Sequence, residues 1–187
     1  DKDYVSLRIN ASHEWPMVNV IRRPSPEPGS LTFGPYSSAG AVRETLRFLR
    51  RTFPLRTCRD TTLYNRTRPC LEYQIGRCVA PCVGYVTQEE YRGLQDQVVL
   101  FLKGRNTELR GQLEHDMRVA AAKEEFEKAA KLRDRLRAVE RVLEEQKVDS
   151  HDESDRDVFG FYREADRGAV AVLVVRGGRL VENRTVL

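Results

Sequence analysis

The sequence predicts an α+β protein built from several modules. These are a β-hairpin with an Arg-rich helix, a Cys-rich metal-binding loop, a helical bundle containing a helical hairpin, and a truncated antiparallel β-sheet. Three observations predict it. Apolar residues alternate with period two near both ends of the chain and recur every three to four residues in the middle. All four cysteines fall within a stretch of 25 residues out of 187. Proline-rich and polar stretches separate the periodic segments.

At the start, Val5, Leu7 and Ile9 share one face of a half-buried strand, and a turn-like stretch from Asn10 to Pro16 leads to a second apolar run from Met17 to Ile21, as in a hairpin. Arg23-Pro-Ser-Pro-Glu-Pro-Gly29 reads as a linker, because three prolines suit neither a central strand nor a helix interior. Leu31 to Tyr36 returns as an edge strand that Gly34-Pro35 should end. Between Ser38 and Arg51 the period becomes helical, with Val42, Leu46, Leu49 and Phe53 on one stripe until Pro54 stops it. Cys58 to Gly84 shows no period and reads as an irregular loop around a metal. Thr87-Gln-Glu-Glu90 is a capping box that opens a helix through Tyr91, Leu94, Val98, Phe101 and Leu102, ending near Gly104. Asn106 is placed to cap a second helix facing inward with Leu109, Leu113 and Met117. A third begins near Phe126, where Leu132, Leu136, Val139 and Leu143 step as in a coiled-coil seam. After the polar stretch Asp149 to Asp155 come three strands, 157–162, 169–175 and 180–186, the last two joined by a primed turn at Gly177-Gly178. The divisions are thus a hairpin-plus-helix module at 1–57, the Cys-rich loop at 58–84, a helical region at 85–148 with its hairpin at about 106–147, and a β-meander at 149–187.

Composition narrows the function classes. Charged residues make up 32% and hydrophobic residues 40%, so the chain is charge-rich without the composition of a disordered one. It has no apolar run long enough for a transmembrane helix and no signal-peptide pattern, which suggests a cytoplasmic location without membrane attachment. The first residue is Asp1 rather than Met, which suggests a piece of a longer protein. The net charge of +4 is unevenly spread. Residues 1–83 carry 13 Lys/Arg against 7 Asp/Glu, whereas 84–150 carry 13 against 14 and 151–187 carry 6 against 7. The positive surplus lies in the first half, where a polyanion would dock.

The cysteines Cys58, Cys70, Cys78 and Cys82 follow C-x11-C-x7-C-x3-C. Unrelated buried thiols would not crowd into so polar a stretch, and disulfides suit secreted chains. Metal binding remains, as zinc or as an iron–sulfur cluster. Structural zinc usually takes two close cysteine pairs, and only Cys78 and Cys82 are close; cubane clusters tolerate unequal spacing. His13, His115 and His151 stand apart and read as surface residues.

Two further candidates are partner surfaces. Phe126 stands in a strongly charged stretch, either folding back as a staple at the helix start or projecting as an aromatic anchor. Arg43, Arg47, Arg50 and Arg51 decorate one helix, either as a solvated face or as phosphate contacts.

Three stretches resemble the UvrC family, the nuclease subunits of the bacterial UvrABC nucleotide-excision-repair system. They are FGPYSSAGAVRETLRFLRRTFPLRTC (Phe33 to Cys58), RPCLEYQIGRCVAPCVG (Arg68 to Gly84) and EFEKAAKLRDRLRAVE (Glu125 to Glu140), the last similar to the UVR motif also found at the end of UvrB. The resemblance implies a [4Fe-4S] cluster on Cys58, Cys70, Cys78 and Cys82, with zinc the alternative. It implies UvrB binding through Phe126, Glu127, Ala130, Arg133 and Asp134, which turns Phe126 toward the anchor role. Damaged double-stranded DNA is the implied second partner, with no small-molecule substrate. The family cuts DNA with a GIY-YIG nuclease and an RNase H-like nuclease. Neither GIY nor YIG occurs here, and the RNase H-like carboxylates would follow Leu187, so this stretch is expected not to cut DNA itself. A metal-plus-UVR adapter that regulates a kinase or protease is the competing reading, but it would carry paired C-x2-C knuckles. A radical-type cluster enzyme would need C-x3-C-x2-C, which is absent.

Overall fold

The computed structural model describes residues 5–22, 27–36, 38–149, 155–164, 167–176 and 179–186. The fold is mixed α/β, with six α-helices, one 3-10 turn and six strands among the described residues. It divides into two compact units, Asp1–Thr32 with Tyr36–Val99, and Phe33–Pro35 with Leu100–Leu187.

In the first unit, β1 (Val5–Asn10) and β2 (Val18–Ile21) form the expected antiparallel hairpin, with Leu7 opposite Val20 and Ile9 opposite Val18. The alternation in β1 buries Leu7 and Ile9 completely, while Arg8, on the other face and still largely covered, pairs with Glu27 at 2.6 Å. β3 (Ser30–Tyr36) passes through Gly34-Pro35 instead of ending there; the peptide bond is cis, and Gly34 takes a positive φ of 118° that glycine adopts freely. The proline linker at 23–26 lies outside the described residues. Helix α1 (Ala39–Thr52) starts where Ser38, in an extended conformation, accepts the Ala41 N–H at 3.1 Å. It packs on β1 and buries Val42 and Leu49, with Phe53 just past its end; Leu46 is only half-buried. The stretch expected to be irregular holds three short helical pieces: α2 (Asp60–Leu63), α3 (Leu71–Gln74) and a 3-10 turn at Pro81–Val83. Single turns leave no hydrophobic period to read.

Helix α4 (Gln88–Leu102) begins with the predicted capping box. The Glu90 N–H donates to Thr87 Oγ1 at 3.2 Å, and the Thr87 N–H donates to Glu90 Oε2 at 2.9 Å. It ends in a Schellman closure, with Arg105 N–H on the Leu100 carbonyl, Gly104 N–H on that of Phe101, and Gly104 at φ 71°.

In the second unit, α5 (Asn106–Ala122) and α6 (Phe126–Asp149) form the helical hairpin. Asn106 does not cap α5. It is the first helical residue, and Arg105 holds the cap position without a side-chain bond. The seam buries Leu109, Leu113 and Ala120 against Leu132, Leu136 and Val139, whereas Met117 and Leu143 stay half-buried. A second Schellman closure ends α5, with Glu125 N–H on the Ala120 carbonyl and Glu124 N–H on that of Ala121. Here the left-handed position falls to Glu124, at φ 59°, rather than to glycine. Strands β4 (Arg156–Glu164), β5 (Arg167–Arg176) and β6 (Arg179–Val186) make an antiparallel meander, and Gly34 of β3 pairs in parallel with Glu182. The turn at Gly177-Gly178 lies outside the described residues.

Candidate metal centre and partner surfaces

The first unit has a polar hub that sequence periodicity could not reveal. Arg56 is 3% exposed although it lies in no helix or strand. Its Nε donates to the Trp15 carbonyl, and its two terminal nitrogens reach the Cys58 carbonyl and Asp60 Oδ1, each at 2.6 Å. Its backbone N–H donates to the Tyr91 hydroxyl at 2.9 Å, which in turn donates to the Pro16 carbonyl at 2.8 Å. The Trp15 ring meets Tyr91 edge-on at 5.2 Å. The Trp15 N–H donates to His13 Nδ1 at 2.9 Å, leaving Nε2 3.4 Å from Asp60. Desolvation pushes the Asp60 carboxyl up, but Arg56 and His13 outweigh it and hold the group below its ordinary range. Burial raises the Tyr91 phenol well above its usual value, so it stays a hydrogen-bond donor. His13 is therefore part of this hub and not a bystander on the surface. Tyr91 carried only an apolar signal in the sequence, and Arg56 carried none.

The hub gathers the cysteines. Arg56 fixes the Cys58 carbonyl, and the Val79 N–H donates to the Pro54 carbonyl at 3.0 Å, so chain segments twenty residues apart are tied to the same stretch, 54–56. All four thiols are free of disulfides. Burial pushes the Cys78 thiol up to about 11; the Ala80 N–H on its sulfur, at 3.4 Å, opposes this, while the Cys70, Cys58 and Cys82 sulfurs add to it. Burial likewise raises Cys82, with Cys58 and Cys70 adding and Arg66 opposing. The four sulfurs thus lie within electrostatic reach of one another. Among the described residues, though, no three His, Cys, Asp or Glu side chains stand in a preset metal-holding arrangement. The donor set still fits a thiophilic centre: four thiols, a backbone N–H aimed at one sulfur, and Ala80 and Gly84 turned into the left-handed region beside Cys78 and Cys82. A bound cation would offset the burial and the lesser sulfur–sulfur repulsion that raise these thiols.

The hairpin exposes its far end. Phe126 is 69% exposed and Val119 39%, so Phe126 does not fold back as a staple. Glu127, Arg133 and Asp134 are exposed and Ala130 half-buried; Arg133 pairs with Asp134 at 3.0 Å. At helical spacing 126, 130, 133 and 134 share one side of α6, and 127 lies beside 134. Arg135 instead is desolvated, which lowers its guanidinium to about 10 against the opposing charge of Asp116, still far too basic to lose its charge near neutrality. Arg43, Arg47, Arg50 and Arg51 are all exposed on α1. Their spacing of four, three and one places them on one side of the helix, away from Val42 and Leu49. No helix among the described residues is long and apolar enough to cross a membrane.

Comparison with known proteins finds a family match for each region. Residues 4–101 match the family described as UvrC/Cho excinuclease, middle domain, and residues 107–142 match the UvrB/uvrC motif. A UvrABC system protein C from Moorella thermoacetica is 46% identical over 181 residues, covering 97% of this chain and 29% of that protein. The protein of the same name from Syntrophus aciditrophicus is 46% identical over 184 residues, covering 98% and 30%. That from Anaeromyxobacter dehalogenans is 50% identical over 181 residues, covering 96% and 26%. The chain therefore spans less than a third of the length of these relatives. No solved structure matches the chain. With its middle-domain match over more than half its length and the paired motif behind it, the chain belongs to the UvrC/Cho excinuclease family.

Proposed function

We propose that this chain is the scaffold region of a nucleotide-excision-repair excinuclease, acting in the cytoplasm and joining UvrB, DNA and a metal centre rather than cutting DNA. The observation that carries the reading is the exposed tip of the helical hairpin. A 69%-exposed phenylalanine on a helix whose opposite side is fully packed is an anchor prepared for a partner. The residues matched to the UvrB/uvrC motif supply that surface, and a like motif at the end of UvrB is the partner. Phe126 inserts its ring, while Glu127, Arg133 and Asp134 set charge complementarity around it and Ala130 permits close approach. Cys58, Cys70, Cys78 and Cys82 hold a [4Fe-4S] cluster, with zinc the alternative occupant. When bound, that group supplies folding energy to a segment with few buried apolar residues. The α1 arginines Arg43, Arg47, Arg50 and Arg51 contact DNA backbone without reading sequence, as recognition of damage in any context requires.

Pull-down of UvrB by the wild-type chain and by Phe126→Ala tests the central element. The variant should keep its helical circular dichroism and weaken binding by about tenfold or more. Unchanged binding would remove the hairpin tip as the docking site. Anaerobic purification followed by metal analysis and a visible spectrum tests the cluster, with about four irons per chain expected and a single zinc sinking that assignment.

A further inference from the structure

The Cys-rich segment presents an outer surface that neither the metal nor the hairpin uses. Tyr64 is 60% exposed, Tyr85 59% and Tyr73 38%, and Leu71 and Ile75 on α3 are exposed as well. The Tyr73 and Tyr85 rings meet at 5.3 Å, inclined by 65°, so α3 and the end of the 3-10 turn form one aromatic ledge. Arg59, Arg66, Arg68 and Arg77 are interleaved in sequence with these aromatics, all exposed and without an acidic partner among the described residues. The segment holds only two carboxylates, Asp60 and Glu72, against these four arginines, and Asp60 is already tied to Arg56 and His13.

Exposed aromatic rings in water are unfavourable unless something covers them. Bare duplex offers little to them, since its bases are stacked inside and only phosphate faces outward. Unpaired bases have free faces, and their backbone brings the phosphates that arginines attract. From the paired Tyr73 and Tyr85 rings, the exposed Tyr64 and the arginines interleaved with them along residues 59–85, we infer that Tyr64, Tyr73 and Tyr85 with Arg66, Arg68 and Arg77 bind nucleic acid whose bases are unpaired. This goes beyond backbone contact by the α1 arginines and does not depend on it. The two surfaces divide the work: α1 holds paired DNA by charge, and the aromatic ledge holds unstacked bases.

The test uses the whole chain with the metal it carries and oligonucleotides of about 20 nucleotides, longer than an ordinary single-strand site. One is single-stranded and carries 2-aminopurine, and the other is the matched duplex. Stacking on tyrosine should quench the 2-aminopurine emission. Tyr64→Ala and Tyr85→Ala should each weaken single-strand binding about fivefold or more, with duplex affinity nearly unchanged. Tyr64→Phe and Tyr85→Phe should retain both affinity and quenching, because the ring and not the hydroxyl does the stacking. Tyr64 is so exposed that its loss should leave the fold intact, which circular dichroism verifies. The inference is overturned if the wild type does not bind the single strand. It is also overturned if the Tyr→Ala variants bind the single strand as tightly as wild type, or if they lose duplex binding equally. Replacing Arg43, Arg47, Arg50 and Arg51 with Gln is read separately on the duplex. A flat result there would count against α1 as a DNA surface while leaving the tyrosine result to stand or fall alone.

Discussion

The cysteine segment and the helical hairpin hold their shapes by opposite means. The hairpin is an apolar seam: Leu109, Leu113, Ala120, Leu132, Leu136 and Val139 are buried along two long helices, and most of its charged residues face water, the desolvated Arg135 being an exception. The cysteine segment has short helical pieces and buries only Leu63, Cys78, Ala80 and Pro81 among its own residues. Its order comes from directed bonds, with Arg56 and Tyr91 binding main-chain carbonyls and the four thiols free of disulfides. An apolar seam tolerates a changed surface, which frees the hairpin tip to serve a partner. A bonded hub tolerates little change at its centre, but it fixes residues far apart in sequence to the same place.

The largest expected effect separates the two regions. Cys58→Ser or Cys78→Ser should abolish metal retention and lower the melting temperature of the first unit by on the order of 10 °C or more, since a structural metal contributes many kcal/mol. Hairpin helicity, followed at 222 nm, should persist. If the whole chain loses its structure in one step, the two regions are not energetically separate and the contrast drawn here fails.

Next come the two centres themselves. Leu113→Ala should destabilise the hairpin by about 2–5 kcal/mol through the cavity it leaves. Arg56→Ala should cost about 2–4 kcal/mol by leaving the Trp15 and Cys58 carbonyls unpaired. Chemical denaturation measures both. Arg56→Lys sharpens the comparison, because an ammonium cannot reach three acceptors from one planar fork and should rescue less than half of the loss. A full rescue would show that charge alone, and not geometry, holds the segment.

The smallest effect lies in the link between α5 and α6. Glu124 occupies a left-handed position that a side chain adopts at a cost. Glu124→Gly should stabilise the hairpin by about 0.5–1 kcal/mol, part of the relief being offset by greater freedom in the unfolded chain. A loss of stability would mean that the Glu124 side chain makes a contact worth more than its backbone strain.

What could be read in the sequence follows the same contrast. The seam was legible because a helix repeats its face every three to four residues, so Leu109, Leu113, Leu132, Leu136 and Val139 announced themselves. The capping box at Thr87 and Glu90 was legible because its bonds run between residues three apart. The position of Asn106 was not, because the Gly104 closure sets where α5 starts, and Arg105 takes the cap position. The short turns within 58–84 gave no period to find. For the sites, the cysteine spacing marked Cys58, Cys70, Cys78 and Cys82, and the motif marked Phe126, but nothing local marked Arg56, Trp15 or the exposure of Tyr64, Tyr73 and Tyr85.

The sequence by itself therefore determined the elements whose causes are local: the hairpin strands, the long helices, the capping box at Thr87 and Glu90, the family, and which residues are chemically able to bind metal or a partner. Only the tertiary structure decided that Arg56 is buried and joins Trp15, Cys58 and Asp60, that Cys78 is buried, and that Phe126 is exposed to solvent. The physical reason is the range of the interactions. Periodicity and capping act over a few residues, whereas a buried guanidinium finds its acceptors up to 41 positions away, and only packing determines which side chains remain uncovered.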